Sequence, residues 1–153
     1  MEKVIFKVLD SFDISLIRKI KKLEVQNLGA SAAINEWQIP VIIRYGRFVV
    51  AEDTSGDIIG VCEILRGWKD PASAFIHSFY IIKKYRHQGI GRKLLQFVID
   101  MLKASAFNSV SLTVAPDNNA AAKLYLNEGF EIKSILKNEY GPGIDRHLME
   151  KML

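Results

Sequence analysis

The stretch FYIIKKYRHQGIGRKLL, residues 79–95, is the part of the sequence that decides the predicted fold. It begins apolar and β-prone, it carries glycines at positions 89 and 91, and from Ile90 onward an apolar residue recurs every four positions. This pattern indicates a strand, a glycine-containing turn and an amphipathic helix. Glycine allows close approach of the backbone to a ligand, and a helix start presents unpaired amides with partial positive charge. The turn at residues 86–91 is therefore predicted to bind a pyrophosphate group. A helix start whose glycines serve only the turn is the alternative.

Two better-known phosphate loops are excluded by the details of this turn. A P-loop requires Gly-Lys followed by serine or threonine, which this sequence lacks. A dinucleotide-binding fingerprint requires a third glycine at the position that Leu94 occupies. Charge for an anionic ligand is available from the basic residues around the turn, which are Arg86, His87, Arg92 and Lys93.

Outward from this stretch, the hydrophobic pattern predicts a mixed α and β chain. Upstream, it predicts a strand at Lys3–Leu9, a helix around Leu16–Leu23 and a second helix at Ser31–Tyr45, with Pro40 inside it. A hairpin of Arg47–Glu52 and Asp57–Leu65 and a strand at Ala74–Ile82 follow. Asp10, Ser11 and Asp13 are the candidate caps of the first helix. Downstream, it predicts a strand at Ser109–Val114 and a helix that is capped by Asp117 or Asn118 and reaches about Asn127. Two strands follow, at Phe130–Leu136 and at Ile144–Met152.

The composition is that of an ordinary globular protein and excludes several classes of function. The 153 residues are 49% hydrophobic and 25% charged with a net charge of +4, and they predict a single domain over residues 1–153. Cys62 is the only cysteine, so an internal disulfide and a cysteine-based metal site are excluded, and a buried apolar role is expected for it. We expect a cytoplasmic protein with no membrane span and no nucleic-acid partner, since signal-peptide, membrane-spanning and basic-aromatic patterns are absent from the sequence.

A second motif, LTVAPDNNAAAKLYLNEGF at residues 112–130, completes a family resemblance. Together with Arg86-x-x-Gly89-x-Gly91, it resembles the conserved blocks of the GNAT superfamily of N-acetyltransferases. In the second block, asparagine precedes a tyrosine by seven residues and alanine precedes it by four, and Gly-Phe closes the helix. The matching residues are Asn118, Ala121, Tyr125, Gly129 and Phe130.

The resemblance implies an α/β (α+β) GNAT fold. In that fold a central, mixed and mostly antiparallel sheet splays between strands 4 and 5 and is flanked by about four helices. The resemblance also implies acetyl-CoA as cosubstrate and no metal. The pantetheine arm is expected to pair with the splayed strand and the pyrophosphate to lie on the loop. The expected cofactor-binding residues are Phe79, Tyr80, Ile81, His87, Gln88, Gly89, Ile90, Gly91, Arg92 and Asn118.

The implied activity is transfer of an acetyl group from acetyl-CoA to a primary amine by direct attack in a ternary complex. The acceptor is a small molecule, a lysine side chain or a protein N-terminus. An alkylamine with a pKa near ~10 must first lose a proton, and the CoA thiolate leaves more easily with a proton donor. Tyr125 matches the tyrosine that many family members use as general acid. A helix aromatic packed against the sheet is its alternative role.

The resemblance identifies the general base less clearly than the general acid. Thr113 stands where some relatives that acetylate protein N-termini carry a glutamate, and threonine cannot act as a base. Glu63 and His77, on the predicted third and fourth strands, are the substitutes. Either is equally readable as an ordinary strand residue, and a water relay needs no dedicated base.

The acceptor half of the sequence carries weaker signals. The segment NEYGPGIDR, residues 138–146, offers Glu139, Tyr140 and Asp145 for a cationic amine, with Arg146 as a competing partner for the carboxylates; a plain turn is the alternative. Trp37 and Trp68 are candidates for the acceptor channel, the core or a lid. The sequence is also compatible with three alternatives. They are a homodimer formed through the sheet edge or the C-terminal strand, a donor with a longer acyl chain, and a non-catalytic acyl-CoA-binding module on the same fold.

Overall fold

The computed structural model describes residues 3–153, and within that range the chain forms seven strands and four α-helices. A short 3-10 helix, Lys83–Tyr85, precedes α3. In chain order the elements are β1 (Ile5–Leu9), α1 (Ile14–Leu28), α2 (Gln38–Tyr45), β2 (Arg47–Glu52), β3 (Ile58–Arg66), β4 (Ser73–Ile81), α3 (Ile90–Ala104), β5 (Ser109–Val114), α4 (Asn119–Asn127), β6 (Glu131–Leu136) and β7 (Arg146–Met152).

The strands follow the order β1-β2-β3-β4-β5-β7-β6, and the sheet is mixed as predicted. β1 with β2, β2 with β3, β5 with β7 and β6 with β7 are antiparallel, whereas β4 and β5 are parallel. The β4–β5 pairing joins residues 73–76 to residues 109–112 and then stops, although β4 continues to Ile81. The predicted splay between strands 4 and 5 is thereby confirmed.

The chain divides into two units, each with its own buried residues. The first unit comprises residues 3–65 and 78–98, and the second comprises residues 66–77 and 99–153. The core of the first unit contains Ile17, Ile20, Ile34, Ile39, Ile42, Ile43, Phe48, Val50, Ile58, Val61 and Tyr80. The buried residues of the second unit include Leu102, Val110, Leu112, Tyr125, Phe130 and Met149.

Local capping explains where the helices begin and where one prediction is wrong. Asp13 is the cap of α1, because its carboxylate accepts the Leu16 N–H at 2.8 Å. The helix predicted over Ser31–Tyr45 begins only at Gln38, since the Asn35 side chain accepts the N–H groups of Trp37 and Gln38 and caps the chain there. Pro40 then lies in the first turn of α2, where its missing N–H would have had no partner inside the helix.

Two further expectations from the sequence concern burial. Cys62 is fully buried in β3, and burial raises the pKa of its thiol well above the ordinary value, which confirms the expected apolar role. Over residues 3–153, none of the helices combines the length and the apolar character that a membrane crossing requires.

Replacing Gly46 by alanine is expected to destabilise the protein by about 2 kcal/mol or more, because buried atoms would have to move. Gly46 connects α2 to β2, and a Cβ there would overlap the Ile64 carbonyl oxygen and lie 3.0 Å from that of Ile42. Gly56→Ala is the matched control. Its φ of +81° costs about 1 kcal/mol in alanine. In the described part of the chain, nothing beyond the adjacent residues lies within 4 Å of the new methyl. Equal losses for both variants in urea unfolding would contradict this account.

Candidate active site

Three side-chain hydrogen bonds fix the loop that connects β4 to α3. The Arg86 Nε–H donates to the Ile81 carbonyl at 2.8 Å, which returns the loop to the end of the strand. The Tyr85 hydroxyl donates to Asp53 Oδ2 at 2.9 Å, and the Gln88 amide donates to the Lys84 carbonyl at 3.2 Å. The arginine of the first motif is thus bonded to the end of β4.

Two residues in the backbone of this loop are left-handed. His87 and Gly89 have φ values of +62° and +77°, and these two left-handed residues turn the chain into α3. Apart from its two chain neighbours, no atom of residues 3–153 lies within 4 Å of a Cβ built on Gly89, so space is open on that side. The Lys93 N–H donates to the Gly89 carbonyl at 3.2 Å, while the earliest amides of a helix have no acceptor within it and carry partial positive charge.

Basic side chains surround the same turn. Six of them are exposed, namely Lys83, Lys84, Arg86, His87, Arg92 and Lys93. The other expected cofactor-binding residues differ in exposure. Phe79 is half-buried, whereas Tyr80 and Ile81 are buried, so at those two positions only the backbone is available to pair with a ligand. Asn118 is exposed and caps α4 by accepting the Ala121 N–H at 3.2 Å.

Glu63, one of the two predicted bases, lies in a buried acidic cluster of the first unit. Its carboxyl on β3 faces the Glu24 carboxyl on α1 and the Tyr80 hydroxyl on β4. Glu24 and Glu63 have 0% of their surface exposed, and Tyr80 has 5%. Within residues 3–153, four of these oxygens complete no hydrogen bond: Glu24 Oε1, Glu63 Oε1, Glu63 Oε2 and the Tyr80 hydroxyl.

Burial sets the ionisation of this cluster. It raises the pKa of Glu63 to about 9, and the neighbouring Glu24 carboxylate raises it further in the same direction. The pKa of Glu24 is also raised by burial, against a smaller lowering by the Tyr80 hydroxyl. The pKa of Tyr80 is raised by burial and by the acidic pair, so its phenol stays protonated. At neutral pH the cluster therefore holds at least one proton between its two carboxyls.

Glu24 was missed by the sequence reading, although a signal for it exists. It follows Ile20 by four positions and Ile17 by seven, so it lies on the apolar stripe of α1 and not on its solvated face. A single carboxylate at such a position is normally read as a surface residue at the edge of the stripe. Its burial depends on the partners that β3 and β4 supply.

The second predicted base, His77, has a different environment, in the second unit. Its side chain is exposed, and partial desolvation lowers the pKa of its imidazole below the ordinary value. Tyr125, the predicted acid, is buried on α4 of the same unit with 6% of its surface exposed. Its ring packs against Phe130 with centroids 5.7 Å apart. The aromatic packing expected as the alternative role of Tyr125 is therefore present. This packing does not test whether Tyr125 is the general acid, which stays a prediction.

Most of the residues predicted to bind the acceptor either contact other side chains of the protein or are exposed at its surface. Asp145 accepts from Lys137 Nζ at 2.7 Å and from the Asn138 N–H at 2.9 Å, and the lysine lowers its pKa. The Arg146 guanidinium lies over the Tyr140 ring, 5.1 Å from its centroid. Core packing is wrong for both tryptophans, since Trp37 and Trp68 are exposed. No set of three or more metal-ligating side chains gathers among residues 3–153.

Comparison with known proteins places these features in a family. A family model described as acetyltransferase (GNAT) family matches residues 17–130, which include both sequence motifs. The N-alpha-acetyltransferase RimI of Mycobacterium tuberculosis is 29% identical over 104 residues, or 67% of this chain and 64% of that protein. Across the first curated relatives, the matched stretch spans between 28% and 64% of their own length.

Solved structures resemble almost the whole chain. The ribosomal-protein-S18-alanine N-acetyltransferase from Escherichia coli matches with a TM-score of 0.79 at 18% identity, over 98% of this chain and 94% of that chain. A chain of the NatC complex, crystallised with Gag peptide and CoA, matches with a TM-score of 0.83 at 21% identity, over 100% and 99% of the two chains. At such identities the likeness establishes the fold.

Proposed function

The chain belongs to the acetyltransferase (GNAT) family, and on that premise we propose that it transfers an acetyl group from acetyl-CoA to the α-amine of a peptide or protein. The observation that carries the proposal is the loop before α3, where left-handed residues, a helix start and exposed cations converge. The N-alpha-acetyltransferase names of relatives support an α-amine over a lysine or a small-molecule amine as acceptor.

Cosubstrate binding is assigned to two neighbouring segments of the first unit. The backbone of residues 79–81 lies beyond the paired part of β4, so it is available to bond the pantetheine arm as an added strand would. The amides and side chains of residues 87–92 bind the pyrophosphate. In the second unit, Asn118 is proposed to lie beside the thioester end and Tyr125 to act as general acid.

The reaction conserves atoms and protons with the groups named. The ammonium of the acceptor loses one proton to a base, and the neutral nitrogen attacks the thioester carbonyl carbon, which forms the C–N bond. The C–S bond breaks as Tyr125 donates its phenolic proton to the departing sulfur. Tyr125 then recovers a proton from the acetylated nitrogen. The products are an acetamide and free CoA, and the base returns the first proton to water.

The test is an acceptor panel incubated with acetyl-CoA and read by product mass and fragmentation. It contains peptides with a free N-terminus, the same peptides N-terminally blocked but carrying lysine, and polyamines. The expected product is a single acetyl group on the α-amine of the free peptides. Acetylation confined to lysine or polyamine would overturn the acceptor assignment. Failure to bind acetyl-CoA would overturn the proposed activity.

Placing a negative charge at position 87 is expected to weaken acetyl-CoA binding about tenfold or more. Aspartate and asparagine both tolerate the left-handed φ of +62°, so His87→Asp and His87→Asn form a matched pair that differs in charge. A carboxylate about 6 Å from a doubly charged pyrophosphate costs roughly 1–3 kcal/mol in a partly solvated site. Calorimetric titration at low and high salt measures the difference, which salt should reduce. Equal Kd values would place the pyrophosphate elsewhere.

A further inference from the structure

The exposed side of α1 carries a stripe of side chains that does not face the core. We propose that this stripe and the cavity beside it bind an acidic amphipathic helix of a partner protein. The interaction goes beyond the proposed acetyl transfer and does not depend on it, because none of its residues belongs to the loop before α3 or to the predicted catalytic groups.

The spacing of the stripe is that of a helix-packing seam. Four residues of α1 form this outer stripe: Ile14, Arg18, Lys21 and Val25. They are separated by four, three and four positions, so the turn of an α-helix places them along one line. The same alternation of three and four positions forms the seam between the helices of a coiled coil. The buried residues of α1 face a different direction, so the outer stripe is available for a second contact.

A cavity adjoins the outer stripe. The stripe lines about 650 Å³ of space together with Lys22, Gln26 and Glu36. At the two ends of the stripe, Ile14 and Val25 leave 57% and 42% of their surface exposed. They are eleven residues apart, which is about 16 Å along the helix axis. Exposed aliphatic side chains at this spacing in a concave site suit the apolar anchors of a docked helix.

The charge of the cavity indicates that the partner is acidic. Its lining contains three cations and one carboxylate, which gives a formal net charge of +2. Lys21 is paired with that carboxylate, since its Nζ lies 2.7 Å from Glu36 Oε2. Arg18 and Lys22 form no ion pair within residues 3–153, although they are one turn apart and repel each other. Carboxylates on a partner helix would relieve this repulsion and fix the register of the two helices.

An anionic membrane surface fits this side of α1 less well than an acidic helix does. A helix that lies on a membrane inserts a continuous apolar face and keeps its cations on the opposite, polar face. Here two cations lie on the outer stripe itself, between Ile14 and Val25, and the apolar face of α1 is buried in the core. A concave site also admits a rod-shaped partner more readily than a flat bilayer.

The test uses a stapled helical peptide of about 18 residues, with two leucines eleven positions apart and glutamates between them on the same face. A control peptide carries lysines in place of the glutamates. We expect the glutamate peptide to bind at least tenfold more tightly than the lysine peptide, with a difference that salt reduces. Amide chemical shifts of the isotope-labelled protein should change most along residues 14–25.

A pair of double variants tests the role of the two unpaired cations. Arg18→Glu with Lys22→Glu should weaken binding of the glutamate peptide about tenfold or more, because attraction becomes repulsion. Lys69→Glu with Lys103→Glu is the matched control. It changes the net charge equally at exposed cations outside the cavity, and the affinity should stay within twofold. If the first double variant does not fold, the two peptides and the shift map on the wild type decide.

Several outcomes overturn the inference. One is equal affinity for both peptides, and another is equal affinity of the wild type and the Arg18→Glu, Lys22→Glu variant. The largest shifts at the loop before α3, or displacement of the peptide by acetyl-CoA, would assign the peptide to the proposed cosubstrate site. Sedimentation with vesicles of phosphatidylcholine and phosphatidylserine, without peptide binding, would assign this side of α1 to a membrane. Each of these results concerns binding alone, so the proposed acetyl transfer would stand.

Discussion

Glu63→Gln is expected to stabilise the protein at alkaline pH, by about 2–5 kcal/mol at pH 8 relative to the wild type. Glutamine has the shape of protonated glutamate and never ionises, so the variant removes the free-energy cost of keeping a proton on Glu63. The effect is large because the carboxyl is fully buried, and burial raises its pKa from an ordinary value of 4.5 to about 9.

The direction of the pH dependence follows from proton counting. Between pH 4.5 and about 9, Glu63 is protonated in the folded chain and ionised in the unfolded chain. The folded state binds the extra proton, so the free energy of unfolding falls by about 1.4 kcal/mol per pH unit through this window. The stabilisation is fully present below pH 4.5 and is lost as pH rises through the folded pKa. Glu63→Gln should flatten this slope.

Urea unfolding at pH 5, 7 and 8.5 measures the slope, with Glu36→Gln as the control. Glu36 is exposed, and Lys21 lowers its pKa, so its loss cannot produce an alkaline stabilisation. Parallel pH slopes for the wild type and Glu63→Gln would mean that Glu63 is not held protonated. A stabilising substitution that weakens activity would fit a site that sacrifices stability for function.

The sequence predicted what depends on short-range pattern. The strand Ser109–Val114 has the predicted bounds, and Asp13 and Asn118 cap their helices as short polar side chains can. The predicted start of the helix at Ser31 is wrong, because the apolar residues of Ser31–Tyr45 fit a helix throughout. The hydrogen bonds of the Asn35 side chain decide where α2 begins. Such competition between cap and helix is set by local geometry that hydrophobic periodicity does not contain.

The candidate site was less predictable because its parts come from distant segments. The loop before α3 could be recognised, since strand, glycines, cations and helix are contiguous in the chain. Glu24 and Glu63 are separated by about half of the first unit's sequence. Burial raises the pKa of both carboxyls, and the Glu24 carboxylate raises that of Glu63 further. A carboxylate on a predicted helix does not by itself indicate that it will be buried beside a second carboxylate. Only the pairing of α1 with β3 and β4 reveals the acid pair.

Tyr125→Phe is expected to lower kcat about 100-fold while leaving acetyl-CoA binding within twofold. The substitution removes one hydroxyl and keeps the ring that packs against Phe130, so α4 and its packing should survive. Without the phenol, the thiolate leaves unprotonated, and the loss should appear in kcat because the proton is transferred only as the C–S bond breaks.

Tyr45→Phe is the matched control, because the Tyr45 side chain is 81% exposed and loses the same atom. Melting temperatures close to that of the wild type would show that Tyr125→Phe remains folded. Changing the leaving group gives the sharpest result. An acyl donor whose thiol has a lower pKa needs less help in leaving, so it should restore much of the lost rate in Tyr125→Phe and change the wild type little. A kcat of Tyr125→Phe within twofold of the wild type would instead assign Tyr125 to packing against Phe130 and leave the departing sulfur to take its proton from water.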